Sequence, residues 1–240
     1  MEKSQIITKI SELKASSKKR NFNQTLDLIV NLKDFNLKTE KLETYVQLPY
    51  DLGKKIKICA FVDSELITSA REKCDKIITK DEFSEWKNPK LVSKLAKEYD
   101  IFISQANLMK DVAMIFGRVL GPLGKMPNPK FGAVILPKDN LKQTVEKFRK
   151  SVKLVVGKEA ILKIPIGKEN SSEEHVAENI RIIIETLEHT LSKGKHNIKN
   201  ILIKFTMSNP IILFAHSKKE EAEEKEWKKF RTYLIWKRKW

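Results

Sequence analysis

Cysteine is nearly absent: Cys59 and Cys74 are the only two in 240 residues, and they lack CxxC spacing. That excludes a disulfide framework and a zinc module, and both thiols are read as reduced. No run of about eighteen apolar residues occurs, which excludes a membrane-spanning helix. Met1-Glu-Lys-Ser-Gln5 lacks the basic-then-apolar order of a secretory leader, so the chain is expected in the cytoplasm with no membrane partner. The four histidines, His175, His189, His196 and His216, are scattered, and only the first two fit one helix. They are read as surface or capping residues. No Ser/His/Asp set and no paired carboxylates stand out, so neither catalysis, a cofactor nor a metal is expected.

What is present is positive charge. The formal net charge is +16, with a sequence pI near 9.6. Such an excess attracts a polyanion, and because neutralising phosphates releases counterions, affinity should fall with salt. Nucleic acid is the expected partner. A hydrophobic content of 41% is compatible with a folded core in a chain of this length. The excess is uneven: residues 1–53 carry +2, 54–151 carry +8, 152–217 carry +2 and 218–240 carry +4.

Glycine and proline number eight each, yet four glycines, three prolines and three basic side chains fall within the sixteen residues Gly117–Gly132. Proline removes an amide donor and glycine opens backbone conformations closed to other residues, so the run is expected to be a shaped, exposed loop. A phosphate cradle of the GxxxxGK[ST] kind fails on spacing. Val119 stands where its first glycine belongs, and Met126 where a magnesium-coordinating hydroxyl is required. Gly121-Pro-Leu-Gly124 matches the GXXG clamp of a KH domain, but without the helices that should surround it.

Hydrophobic periodicity divides the chain. In the middle, strands are expected at Ile56–Val62, Lys76–Thr79 and Asp100–Ser104, with helices at Glu65–Lys73, Asn88–Glu98, Asn107–Phe116 and Asn140–Lys150. Strands separated by helical crossovers predict a mainly parallel, Rossmann-like sheet covered on both faces. The flanks read differently. Leu26, Leu28, Val30 and Leu32 alternate along one strand; further strands are expected at Glu43–Leu48, Val152–Val156, Ile161–Ile166, Ile198–Thr206 and Ile211–Phe214. Ile6, Ile10 and Leu13 mark an N-terminal helix, and Val176, Ile180, Ile183, Leu187 and Leu191 a second over Glu173–Leu191. Ser171 followed by Glu174 is read as a capping box for that second helix. Neither flank alone has enough elements for a core. The predicted fold is therefore α/β with two domains: residues 1–53 plus 152–217 as a discontinuous split α/β sandwich, and 54–151 as an inserted Rossmann-like parallel-sheet domain.

Gly117-Arg-Val-Leu-Gly-Pro-Leu-Gly-Lys-Met-Pro-Asn-Pro-Lys130 resembles the signature of the ribosomal protein L-one family, Gly-Arg-(Ile/Val)-Leu-Gly-Pro-Arg-Gly-x-Met-Pro-(Asn/Lys)-Pro. Arg20–Lys33 is similar to that family's N-terminal strand, especially in archaeal and eukaryotic members, and Thr206-Met-Ser208 occupies the place of its Thr-Met-Gly triplet. The resemblance covers about residues 1–216 in order. It implies the same split and inserted domains, joined by two adjacent strands near Gly53–Lys55 and Ser151–Lys153. It further implies a non-enzymatic constituent of the large ribosomal subunit that binds large-subunit rRNA at the mobile side stalk, beside the exit-site tRNA. Assistance in release of deacylated tRNA, repression of its own mRNA and contact with other ribosomal components follow from the same resemblance. An obligate homo-oligomer does not. The alternative is an extraribosomal RNA-binding regulator or RNA chaperone with the same fold.

Carried over by position, the RNA-binding residues are Phe22, Asn23, Gln24, Thr25, Thr206, Met207 and Ser208. Phe22 would present an apolar face, Thr206 and Ser208 would bond ribose or phosphate, and Met207 would pack on a sugar edge, a readout of RNA shape and 2′-hydroxyls. Lys18, Lys19, Arg20, Lys163, Lys168 and Lys204 would neutralise phosphate around them. Gly121, Pro122, Gly124, Lys125, Met126 and Pro127 of the signature loop either brace a domain interface or touch RNA. Two residues depart from the family pattern. Leu123 replaces an Arg, removing a charge and a bidentate donor, and Ser208 replaces a Gly where backbone approach is close. The tail, 218–240, combines opposed charges at helical spacing with Trp227, Phe230 and Leu234 on one side, then ends basic and aromatic. It is expected to be a helical extension that meets RNA, domain one or a protein neighbour.

Overall fold

The computed structural model describes residues 3–37, 40, 42–136, 140–157 and 159–215. The extension 218–240 lies outside them. The chain divides into two compact units, one made of its two ends, Met1–Glu43 and Leu154–Trp240, and one of Thr44–Lys153.

Unit one is organised around β1 (Thr25–Leu32), whose alternating pattern buries Leu26, Leu28, Val30 and Leu32. This strand lies inside a four-stranded sheet between β8 (Ile161–Lys168) and β9 (Ile198–Phe205), antiparallel to both, with β10 (Ile211–Ala215) beyond β9. Helix α1 (Lys3–Ser16) buries Ile6, Ile10 and Leu13, and α6 (Glu173–Thr190) buries Val176, Ile180, Ile183 and Leu187. The helices pack on each other, α6 also on β8 and α1 on β10. Asn179, 1% exposed, donates to the Ile166 carbonyl at 3.2 Å and ties α6 to β8. The opposite face of the sheet, where Thr25, Asp27, Ile29 and Asn31 project, stays partly exposed.

The capping box expected at Ser171 does not form. Ser172 is the N-cap residue of α6 and makes no side-chain cap bond. Ser171 is committed one step earlier, where its Oγ accepts from Lys168 N at 3.2 Å and its own N donates to Lys168 O at 2.9 Å. Closing the turn out of β8 takes the hydroxyl that a cap would use.

Strands β2 (Glu43–Gln47) and β7 (Ser151–Val155) pair with each other and carry the chain between the units. In unit two, β3 (Ile58–Val62), β4 (Lys76–Thr79), β5 (Ile101–Gln105) and β6 (Val134–Ile135) form a parallel sheet in the order β4-β3-β5-β6. Every residue of β3 and β5 is buried, as a sheet covered on both faces requires. Alternate side chains feed two cores. Ile58, Ala60, Val62, Ile101 and Ile103 pack with α2 (Ile67–Lys73) and α5 (Leu141–Arg149), while Cys59, Phe61 and Phe102 pack with α3 (Pro89–Glu98) and α4 (Met109–Leu120).

The run Gly117–Gly132 is not loop throughout, because α4 continues to Leu120. Val112, Phe116 and Leu120 sit at helical spacing in the core, and this burial outweighs the weak helix preference of Gly117. Gly124, at φ +63°, then ends the turn: its N donates to Gly121 O at 2.9 Å and Lys125 N to Leu120 O at 3.0 Å, the bond pair of a Schellman cap. A Cβ on Gly124 would also meet Lys153 Nζ at 3.3 Å. Replacing Gly124 by Ala is expected to destabilise the protein by about 1–2 kcal/mol through the left-handed backbone, measured as a lower urea midpoint with unchanged slope.

Candidate nucleic-acid interface

The residues assigned from both chain ends meet where β1 begins. Thr25 lies opposite Lys168 of β8, and Leu26 opposite Phe205 at the end of β9. The Thr206–Ser208 turn therefore follows directly beside the entry to β1. Thr206 N donates to Thr25 O at 3.1 Å, and Thr25 N donates back to Thr206 Oγ1 at 3.3 Å.

Gln24 holds this corner together and is not a surface contact. It is 1% exposed; its Oε1 accepts from Met207 N at 3.2 Å, its Nε2 donates to Glu169 Oε2 at 3.4 Å, and its carbonyl accepts from Glu169 N at 2.9 Å. Its side-chain amide bonds the segments after β8 and after β9 at once. Ser208 likewise folds its own turn, accepting from Phe205 N at 2.9 Å and donating to Asn209 O at 3.1 Å. Many polar groups of the corner are thus bonded to one another, and beside exposed Asn23 and Thr206 two large apolar side chains stand in solvent: Phe22 is 52% and Met207 60% exposed.

The basic residues distribute unequally around that corner. Lys18, Lys19 and Arg20 are exposed in the segment between α1 and β1, next to exposed Asn23. Lys168 is at the corner itself. Lys204 lies on the open face opposite Asp27, and Lys163 opposite Ile29, four residues along β1 from Thr25 and about 13 Å away at the usual rise of a strand. Burial raises the Asp27 carboxyl above its ordinary range, with Lys204 pulling it partly back.

The signature loop, in unit two, turns half of its assigned residues inward. Lys125 Nζ donates to the Ala96 and Tyr99 carbonyls, each at 2.7 Å, closing the C-terminus of α3. Desolvation lowers its ammonium pKa, as expected for a cation held inside the fold. Pro127 is buried and Met126 packs partly buried on the core beside α4. Lys153 Nζ donates to Gly124 O and lies 5.8 Å from the Tyr45 ring centroid. Gly121, Pro122 and Gly124 remain at the surface, with Leu123 54% exposed. Among the described residues no His, Cys, Asp and Glu cluster suits a metal ion, and no helix is long and apolar enough to cross a membrane.

Sequence reasoning missed Glu169 and Asp27, and neither carries a local signal. The role of Glu169 depends on a residue 145 positions away. Replacing Gln24 by Leu is expected to cost about 1–3 kcal/mol, because Met207 N and Glu169 lose their partner, and the amide of Met207 should exchange its hydrogen faster than those of β9. Asp27→Asn should stabilise the protein at pH 7. A raised folded pKa means that the ionised carboxylate costs stability at neutral pH, and that this cost fades as pH falls through the folded value. The gap in urea midpoint between the two proteins should therefore narrow on acidification.

The model of the Ribosomal protein L1p/L10e family matches residues 13–209. The chain is 36% identical over 213 residues to the large ribosomal subunit protein uL1 of Methanothermococcus thermolithotrophicus, covering 88% of this chain and 98% of that protein. It is 35% identical over 211 residues to that of Pyrococcus horikoshii, with 86% and 94% covered. With that of Nanoarchaeum equitans it shares 37% over 194 residues, 79% and 91% covered. The match runs through both halves of unit one as well as the insertion, and on it the chain belongs to the Ribosomal protein L1p/L10e family.

Proposed function

We propose that this protein is a constituent of the large ribosomal subunit that binds large-subunit rRNA through the corner of unit one where Thr25 and Thr206 meet. The observation that carries the reading is the exposure of Phe22 and Met207 beside a corner whose polar groups are already bonded to one another. Preorganisation of that kind lowers the ordering cost of binding. Phe22 offers a face for a ribose or an unstacked base, Met207 packs beside it, and Lys18, Lys19, Arg20, Lys168 and Lys204 neutralise the flanking phosphates. Lys163 engages RNA that extends along the open face. Such a surface reads the shape of a folded RNA and its 2′-hydroxyls in preference to base sequence.

The role is structural and not enzymatic, and its setting is the cytoplasmic ribosome. At the mobile side stalk the protein would stand beside the exit-site tRNA and assist release of the deacylated molecule, and a similar fold in its own mRNA would allow repression of translation. These two finer roles rest on the family alone.

The test is binding of the purified protein to a stalk rRNA fragment and to a matched plain duplex over a range of salt. Phe22→Ala with Met207→Ala removes two exposed side chains and should leave stability unchanged. It is expected to weaken the stalk complex at least about tenfold, the scale of removing one aromatic ring from a stack. Lys18→Ala with Lys19→Ala should lower the salt slope by about one for each phosphate no longer neutralised. Equal, salt-controlled binding to both RNAs, untouched by the Phe22 and Met207 changes, would move the protein to the extraribosomal class.

A further inference from the structure

Unit two contains a cleft of about 670 Å³, within the size range of small-molecule sites, between the segment that follows β2 and the last turns of α5. Lys54, Lys55, Lys147, Arg149 and Lys150 line it, against two carboxylates, Asp51 and Glu146. We propose that this cleft is a phosphate-binding site of unit two, separate from the RNA-facing corner of unit one.

Two of the cations there, Lys147 and Lys150, are not accounted for by the fold. Glu146 is paired with Lys73 at 3.2 Å, and Asp51 Oδ1 accepts from Gly53 N at 3.3 Å. Lys54 and Lys55 have partners in Asp100 and Asp75. Lys147 and Lys150 have no ion pair or hydrogen bond at Nζ among the described residues. Their position in the last turn of a helix would ordinarily be explained by carbonyl capping, but those carbonyls are served by other groups. Lys150 N donates to Lys147 O and Phe148 O, Ser151 Oγ donates to Lys147 O at 2.6 Å, and Leu48 N donates to Lys150 O at 2.8 Å. Arg149 adds a second mismatch. Its Nη2 donates to Lys73 O at 2.7 Å, while its Nε, shielded from solvent, has no hydrogen-bond partner among the described residues. A buried donor without a partner is unfavourable, and like charges gathered in one concavity repel. A phosphoryl group, with several acceptor oxygens and negative charge, relieves that repulsion and gives the Nζ groups of Lys147 and Lys150 a partner.

The cleft is also preformed. Leu48 and Leu52 are buried anchors on either side of its strap, Gly53 turns the strap at φ +67°, and the Leu48–Lys150 bond fastens strap to helix. The phosphate belongs either to a small nucleotide or to the backbone of a nucleic-acid strand, and the chemistry is common to both.

The test is a titration of the ¹⁵N-labelled full chain followed by NMR, with adenosine monophosphate, with a short single-stranded oligoribonucleotide and with uridine as the probe lacking phosphate. Shifts confined to the amides of 53–56 and 143–150 and to the Arg149 Nε–Hε signal, given by either phosphate-bearing probe and not by uridine, support the site. The probe that acts at lower concentration identifies the source. Lys147→Gln with Lys150→Gln should weaken that response at least about tenfold, because two charges that neutralise phosphate are removed, whereas Lys97→Gln with Lys110→Gln should not. The Phe22→Ala, Met207→Ala chain should keep the response, so the two proposed surfaces fail or stand separately. Shifts spread over the lysines of both units, or a response unchanged by Lys147→Gln with Lys150→Gln, would overturn the proposal.

Discussion

The pairing of β1 with β8 on one side and β9 on the other is the constraint on which the molecule depends. The first strand of the chain is completed only by strands that begin more than a hundred residues later, so unit one cannot close until the whole insertion has been made. Loop-closure entropy grows only logarithmically with length, and the insertion lowers even that cost. Unit two has two cores of its own, and its entry and exit strands, β2 and β7, are paired with each other. The chain that must be spanned is therefore a folded body with adjacent ends. A separate insertion core is what makes a discontinuous unit one possible.

The same pairing explains the form of the corner. Antiparallel register brings the residues before β1 beside those after β8 and β9, and each strand leaves ladder groups unsatisfied where it ends. Gln24, Thr206 and Ser208 supply the missing partners with side chains. Gln24 is buried, and a buried amide is tolerated only when bonded; Thr206 and Ser208 keep part of their surface in solvent while their hydroxyls brace the same corner. The same geometry leaves the neighbouring Phe22 and Met207 in solvent.

Much of this is legible in the sequence because it is local. The alternation of β1 and the helical spacing of α6 each encode which face is buried, and the structure buries Leu26, Leu28 and Val30 as well as Val176, Ile180 and Ile183. The α/β class follows from the order of such segments. What escapes has partners at long range or in competition. Lys125 looks free in a basic loop, yet its acceptors lie 29 and 26 residues upstream. Gln24 looks like part of a polar contact strip, yet it bonds a residue 183 positions away. Ser171 has capping-box spacing, but a turn claims its hydroxyl first. At Gly117 the glycine and proline content of a sixteen-residue window is too coarse a guide, since the burial of Phe116 and Leu120 decides where the helix stops.

The two departures from the family pattern separate on physical grounds. At position 208 a hydroxyl stands where the family carries glycine, and the fold absorbs it: Ser208 bonds Phe205 N and Asn209 O within its own turn. Its oxygen replaces solvent for a backbone donor, so the corner gains a brace and loses little approach. At position 123 the reverse holds. The turn is fixed by the Gly124 backbone, the Lys125 N bond to Leu120 O and the Lys153 bond to Gly124 O, none of which involves the side chain of residue 123. Leu123 projects into solvent and changes only what the loop presents, an apolar group in place of a guanidinium. The first departure thus belongs to the scaffold of the corner. The second alters the surface chemistry of the loop while leaving its shape intact.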